Sequence, residues 1–203
     1  MGDPSTTVPH VVGVSFADAA ISAAPLAIPV RRVMDTHARC SRAHLRRFWL
    51  KIWPETFRDF GRAGIRLDST DASGQIRRTA ADRPVFTGLE RGVLNLVLTD
   101  HIPMFWDRGR ASAGVTTLWE GYHVCMIAMQ YAHTNQVPWI STNTCTHELL
   151  HAILGDIFIG HPSWYQGGER ELRTDWVATR LWLFPRAADL RGSARAYLAR
   201  LKS

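Results

Sequence analysis

Cysteine is scarce in this 203-residue chain: Cys40, Cys125 and Cys145 cannot all pair, and no two of them stand in a CxxC or other close metal-ligand spacing. A miniprotein stapled by disulfides and a cysteine-rich zinc finger are thereby excluded. A long apolar run is missing too. The least polar stretch near the N-terminus, residues 11–30, is broken by Asp18, Pro25 and Pro29 and follows no basic flank, which argues against a membrane span and fits a signal peptide poorly. The chain therefore reads as soluble, with no transmembrane segment and with the cytoplasm favoured over secretion. There is no internal repeat and no linker-like low-complexity segment.

What is present suits a folded domain. Apolar residues make up 46% of the chain and charged ones 21%, far from the depleted, highly charged profile of disorder. The 24 basic and 18 acidic side chains give +6, divided as 14 against 10 over residues 1–100 and 10 against 8 over residues 101–203. An excess spread this evenly is no nucleic-acid tail. The densest basic run, Arg39, Arg42, Arg46, Arg47 and Lys51, would make one positive face on a helix and attract anionic partners weakly. No base-reading motif accompanies it, so no nucleic-acid partner is expected.

Residues 1–30 read as an irregular or extended segment and residues 31–203 as a single domain. Leu45, Phe48, Trp49, Ile52, Trp53, Phe57 and Phe60 recur at three- and four-residue intervals and predict an amphipathic helix over 41–60, which Pro54 kinks or restarts. Residues 65–68 read as a short strand, 69–90 as charged and turn-rich, and 93–98 as a central strand. Two strand segments, 115–119 and 122–129, surround Glu120-Gly121. No Asp, Glu, Lys or Arg falls between Glu120 and Glu148, which marks interior or a cleft wall. Helices are predicted over 144–158, 169–183 and, through Leu190, Ala194, Tyr197 and Leu201, over 187–201.

The segment with chemistry is His147-Glu148-Leu149-Leu150-His151. Helical residues four apart share a face, so both imidazoles could reach one metal while Glu148 points at a metal-bound water. Zinc is the natural ion, since it takes imidazole nitrogens at about 2.0–2.1 Å and acidifies its bound water. A catalytic zinc usually has three protein ligands. Glu171, 20 residues after His151, is the first candidate for the third, with Asp175 one helical turn later able to accept a bond from a ligand histidine. Asp156 and His161 remain alternatives if Gly155 or Gly160 turns the chain back.

HELLH at 147–151 with ELRTD at 171–175 resembles the glutamate-zincin metallopeptidases of the thermolysin type. That resemblance implies His147, His151 and Glu171 as zinc ligands, Glu148 as general base and Asp175 orienting His147. The upstream order, with Phe60-Gly61-Arg62-Ala63-Gly64-Ile65, Leu94-Asn95-Leu96-Val97-Leu98 and Thr146-His147-Glu148, resembles instead the N-terminal subdomain of the metzincins. Their ligand pattern fails here, because Leu154 and Ile157 stand where a glycine and the third ligand would be, and no methionine follows Met129. The implied architecture is a zincin-like α/β (α+β) domain, a small twisted mixed sheet packed on an active-site helix and a long N-terminal helix.

Tyr165 and His161 are the leading candidates to stabilise a developing oxyanion, ahead of His123, Tyr122 and Arg173. Residues 122–126 read equally as an exposed edge strand that would hold an extended peptide or as a fully buried strand. The expected function is zinc-dependent hydrolysis of a peptide or protein substrate. The alternative is a zincin-like metal-binding regulatory or interaction protein with little peptidase activity.

Overall fold

The structure, a computed structural model, describes residues 24–78, 84–102, 113–132, 143–154 and 187–202. Six strands form one mixed sheet: β1 (Leu26–Asp35), β2 (Ile65–Arg78), β3 (Pro84–Thr87), β4 (Leu94–Thr99), β5 (Gly114–Trp119) and β6 (Tyr122–Ala128), in the spatial order β3-β2-β1-β4-β6-β5. The pairs β1/β2, β1/β4 and β4/β6 are parallel, whereas β2/β3 and β5/β6 are antiparallel. Three helices lie among the described residues. α1 runs from Arg42 through a π-turn at Phe48–Ile52 to Arg62, α2 covers Thr144–Leu154, and α3 covers Ala187–Leu201. This is a mixed α+β fold, as expected; a zincin-like active-site arrangement within it is not shown.

α1 begins where Ser41 caps it, its hydroxyl accepting the His44 N–H at 3.2 Å. Pro54 has no amide to give the helical ladder, and the strain is taken up just before it, where Trp53 N–H reaches back five residues to the Phe48 carbonyl. Trp49 and Trp53 do more than fill the core: the Arg32 guanidinium of β1 lies 5.0 and 5.1 Å from their ring centroids and is also paired with Asp71 at 2.9 Å.

The helices cover one face of the sheet. Phe48, Ile52 and Phe60 of α1, Leu149, Leu150 and Ile153 of α2, and Leu190, Ala194 and Tyr197 of α3 meet Ile28, Val30, Leu94, Leu96, Leu98, Cys125 and Ile127 in one buried cluster. Burying the three apolar side chains of α2 is worth roughly 5–9 kcal/mol before ordering costs, enough to fix that helix on the sheet. The other sheet face has a smaller cluster, Val33, Val97, Ile102, Val124, Met126 and Ala128, bordered by Phe86, Trp119 and Tyr122.

Three local readings change. β1 begins at Leu26, within the segment read as irregular or extended, and pairs with β2 and β4 inside the sheet. β2 continues ten residues past the expected strand at 65–68, because Ile65–Gly74 pair with β1 and Gln75–Arg78 with β3. Gly74 makes that crossing possible, since a Cβ there would overlap the Thr87 carbonyl oxygen and the Val33 side chain. Residues 122–126 are not the sheet edge: β6 lies between β4 and β5, and its residues from Val124 to Ala128 are fully buried.

The β5/β6 turn contains only Glu120 and Gly121, both with positive φ (46° and 81°). Such a turn matches strand twist, but a glutamate tolerates the left-handed region poorly compared with asparagine. Glu120→Asn should therefore raise unfolding stability by about 0.5–1 kcal/mol. An unchanged or lowered urea midpoint would contradict the turn assignment.

Candidate functional site

Asn143 starts the helix that carries the HELLH segment. Its side-chain oxygen accepts the Thr146 N–H at 3.0 Å and its carbonyl the His147 N–H at 3.0 Å, the arrangement of an N-cap. Its amide nitrogen donates to the Ile52 carbonyl of α1 at 3.0 Å, so one residue both starts α2 and ties it to α1. Thr56, Asp59 and Thr146 complete a buried polar cluster behind the helix start, with Thr146 Oγ1 3.2 Å from both Thr56 Oγ1 and Asp59 Oδ2.

His147, Glu148 and His151 are all buried, at 6%, 6% and 7% exposure. One turn apart on α2, the imidazoles stand nearly perpendicular, with Nε2 to Nε2 at 3.0 Å. At that distance one ring nitrogen can donate to the other, the roles being set by the tautomers. Glu148, the next residue along, lies on another side of the helix. Its Oε2 is 2.8 Å from Thr116 Oγ1 of β5, and the same hydroxyl is 2.8 Å from the Glu148 carbonyl, its one proton serving either acceptor in turn. Gly114, two residues before Thr116, leaves the room that the Glu148 side chain occupies; a Cβ there would overlap it.

This geometry corrects the zinc reading. A zinc site needs at least three convergent protein donors, and among the described residues no group of three or more His, Cys, Asp or Glu side chains could hold a metal ion. The imidazoles engage each other while Glu148 engages Thr116. The zincin resemblance, the zinc cofactor and metallopeptidase hydrolysis with Glu148 acting on a metal-bound water are therefore not upheld, and neither is the metal-binding regulatory alternative. Asp156, His161, Tyr165, Glu171, Arg173 and Asp175 lie outside the described residues.

Of the remaining candidates, His123 of β6 packs edge-on against Tyr197 of α3, with centroids 5.1 Å apart, and burial lowers its pKa. Tyr122 belongs to the opposite sheet face, where the Arg91 guanidinium lies 4.7 Å from its ring centroid. The structure therefore places these two on different faces of the sheet. Buried thiols flank the site without serving as nucleophiles: burial pushes Cys145 up to about 12 and Cys125 well above the ordinary thiol value, and each stays protonated at neutral pH.

Sequence reasoning missed Thr116, Gly114, Asn143 and Asp59. Only Asn143 left a signal, a capping residue immediately before the predicted helix. The other three meet the HELLH helix through contacts between residues 32 to 87 positions apart.

Among the described residues β5 is the end strand of the sheet beside this cluster. β5 pairs with β6 through a two-residue turn, and Ala128 N–H bonds the Ala113 carbonyl at 3.0 Å, so the hydrogen-bonded pairs fall on the odd-numbered residues of β5. Thr116 and Leu118 consequently direct their main-chain N–H and C=O groups away from β6. Among the described residues neither has a main-chain partner on that side, and the Leu118 side chain is 63% exposed. No family model, no curated protein and no solved structure matches the chain.

Proposed function

We propose that this domain is a binding module for an extended polypeptide segment, which adds to the sheet as a further strand beside β5. The observation that carries this reading is the outer edge at Thr116 and Leu118, which has no main-chain partner among the described residues. An exposed strand edge is a template for main-chain pairing, and natural proteins normally blunt it with charge, proline or a covering segment. Residues 114–119 contain no charged residue and no proline.

The added strand would run past the side of β5 that faces α2. Thr116 holds Glu148 there, and His147, the residue before it, stands with His151 on the neighbouring side of the helix, so a carboxylate and an imidazole pair would border the ligand. Main-chain pairing supplies affinity with little demand on side chains, each bond contributing about 0.5–1.5 kcal/mol. Leu118, 63% exposed, adds an apolar contact.

Leu118→Pro provides the test. Proline removes the outward N–H of residue 118 without removing a β5/β6 bond, the position at which an edge strand tolerates it. Peptides selected from a random displayed library should lose at least about tenfold in affinity for Leu118→Pro, roughly the worth of one or two main-chain bonds. Leu118→Ala, which keeps the N–H, should retain most of the binding. Equal binding by the proline variant, or a library without ligands, would overturn the reading; a concentration-dependent dimer abolished by Leu118→Pro would replace it with self-pairing.

A further inference from the structure

The basic helix noted in the sequence acquires a sharper meaning from its exposure pattern. Between residues 39 and 62 the exposed charged residues are Arg39, Arg42, Arg46, Lys51, Arg58 and Arg62, and every one of them is basic. The two acids of the segment are withdrawn, Glu55 partly and Asp59 almost wholly, at 1% exposure. Seven basic residues against two acidic ones give this stretch +5, most of the formal +6 of the whole chain.

Two large apolar side chains stand out of the same face. Leu50 is 68% and Phe57 45% exposed, seven residues apart on α1 with exposed Pro54 between them. Seven residues are about two helical turns, or roughly 10 Å along the axis. The face opposite is already spent: Phe48, Ile52 and Phe60 are in the core, and Trp49 and Trp53 stack on Arg32. Leu50 and Phe57 belong neither to that core cluster nor to the apolar side chains packed against it.

We infer that the outer face of α1 docks on an anionic phospholipid surface, with Leu50 and Phe57 entering the headgroup and upper acyl region and the surrounding Arg and Lys side chains meeting the phosphates. Charge complementarity selects an anionic partner. The protruding leucine and phenylalanine select a lipid surface over a nucleic-acid backbone, which offers no apolar medium for them and is met chiefly by charge. The mode is interfacial: among the described residues no helix is long and apolar enough to cross a membrane. β5, at one end of the strand order, takes no part in this surface, so loss of lipid binding would leave strand addition at β5 unaffected.

Sedimentation of the full chain with vesicles tests this. Binding should be at least tenfold tighter to phosphatidylcholine vesicles containing 30% phosphatidylglycerol than to phosphatidylcholine alone. The exposed-site variant Leu50→Gln/Phe57→Gln and the charge variant Arg46→Gln/Lys51→Gln/Arg58→Gln should each lower that partition about tenfold with an unchanged circular dichroism spectrum. For the wild type, hydrogen exchange should slow on anionic vesicles in peptides covering residues 44–60, a readout that needs no variant. Equal partition on both vesicle types, no slowing over 44–60, or full binding by the Leu50/Phe57 variant would overturn the inference. Duplex DNA binding in the absence of vesicle binding would overturn it in favour of a nucleic-acid partner.

Discussion

At pH 8 the Asp59→Asn variant should unfold at a higher urea concentration than the wild type, and the advantage should vanish as pH falls toward 4. Asp59 is almost wholly enclosed between α1 and the start of α2. Burial pushes its carboxyl up to about 7, the Thr146 hydrogen bond and the Arg62 charge opposing only in part. The protonated form also suits the local pattern of donors and acceptors. A protonated Asp59 can give its proton to Thr146 Oγ1, which then donates to Thr56 Oγ1, which in turn donates to the Ile52 carbonyl or to Asn143 Oδ1.

The sign follows from proton linkage. An aspartate titrates near 3.9 when unfolded, so between about pH 4 and 7 the folded chain holds a proton that the unfolded chain has released. Stability from this group is present in full at low pH and declines as pH rises through that window, levelling off above 7. A shift of about three units corresponds to on the order of 4 kcal/mol, an upper figure that relaxation around the carboxylate will reduce. The asparagine of the variant cannot ionise, so the difference between variant and wild type should grow by about 2–4 kcal/mol from pH 4 to pH 8. A difference that stays constant with pH would show that Asp59 remains ionised in the fold.

Asn143→Ala should cost about 3 kcal/mol and should loosen the HELLH helix before the rest of the domain. The substitution removes the cap on Thr146, worth about 1 kcal/mol. It also removes the donor to the Ile52 carbonyl and the acceptor for Thr56, in a site with no exposure, where unsatisfied groups cost about 1–3 kcal/mol. Denaturant unfolding measures the total, and hydrogen exchange locates it. Faster exchange should appear first in residues 144–151. A loss spread evenly over the sheet would mean that Asn143 serves global packing and does not specifically seat this helix.

Asp59 and Asn143 also show why part of the site was hidden in the chain. Asp59 falls among Phe57, Phe60 and their polar neighbours, where periodicity alone treats an acid as solvent-facing; its burial comes from α2 lying across α1. Thr116 is an ordinary strand residue until the β5/β6 hairpin brings it to Glu148. The HELLH pattern was legible, including the helix that bears it and the sharing of a face by His147 and His151. Where their nitrogens and the Glu148 carboxylate point is a matter of rotamer and neighbour, and there the five-residue pattern misled.

The amino-acid sequence by itself determined the local elements whose signals are local. These include the helix from the Ser41 cap to Arg62, the β4 strand with its unbroken apolar run, the Glu120-Gly121 turn, and the last helix through Leu190, Ala194, Tyr197 and Leu201. Periodicity, capping and turn chemistry act over a few residues and can be read there. Tertiary structure alone decided that β2 serves two ladders, that β6 is interior and β5 the end strand among the described residues, and that the two histidines stand Nε2 to Nε2 while Glu148 joins Thr116. Each of these depends on strand order and on contacts between distant segments, and a strand's own residues specify its faces far more strongly than which neighbour it will have.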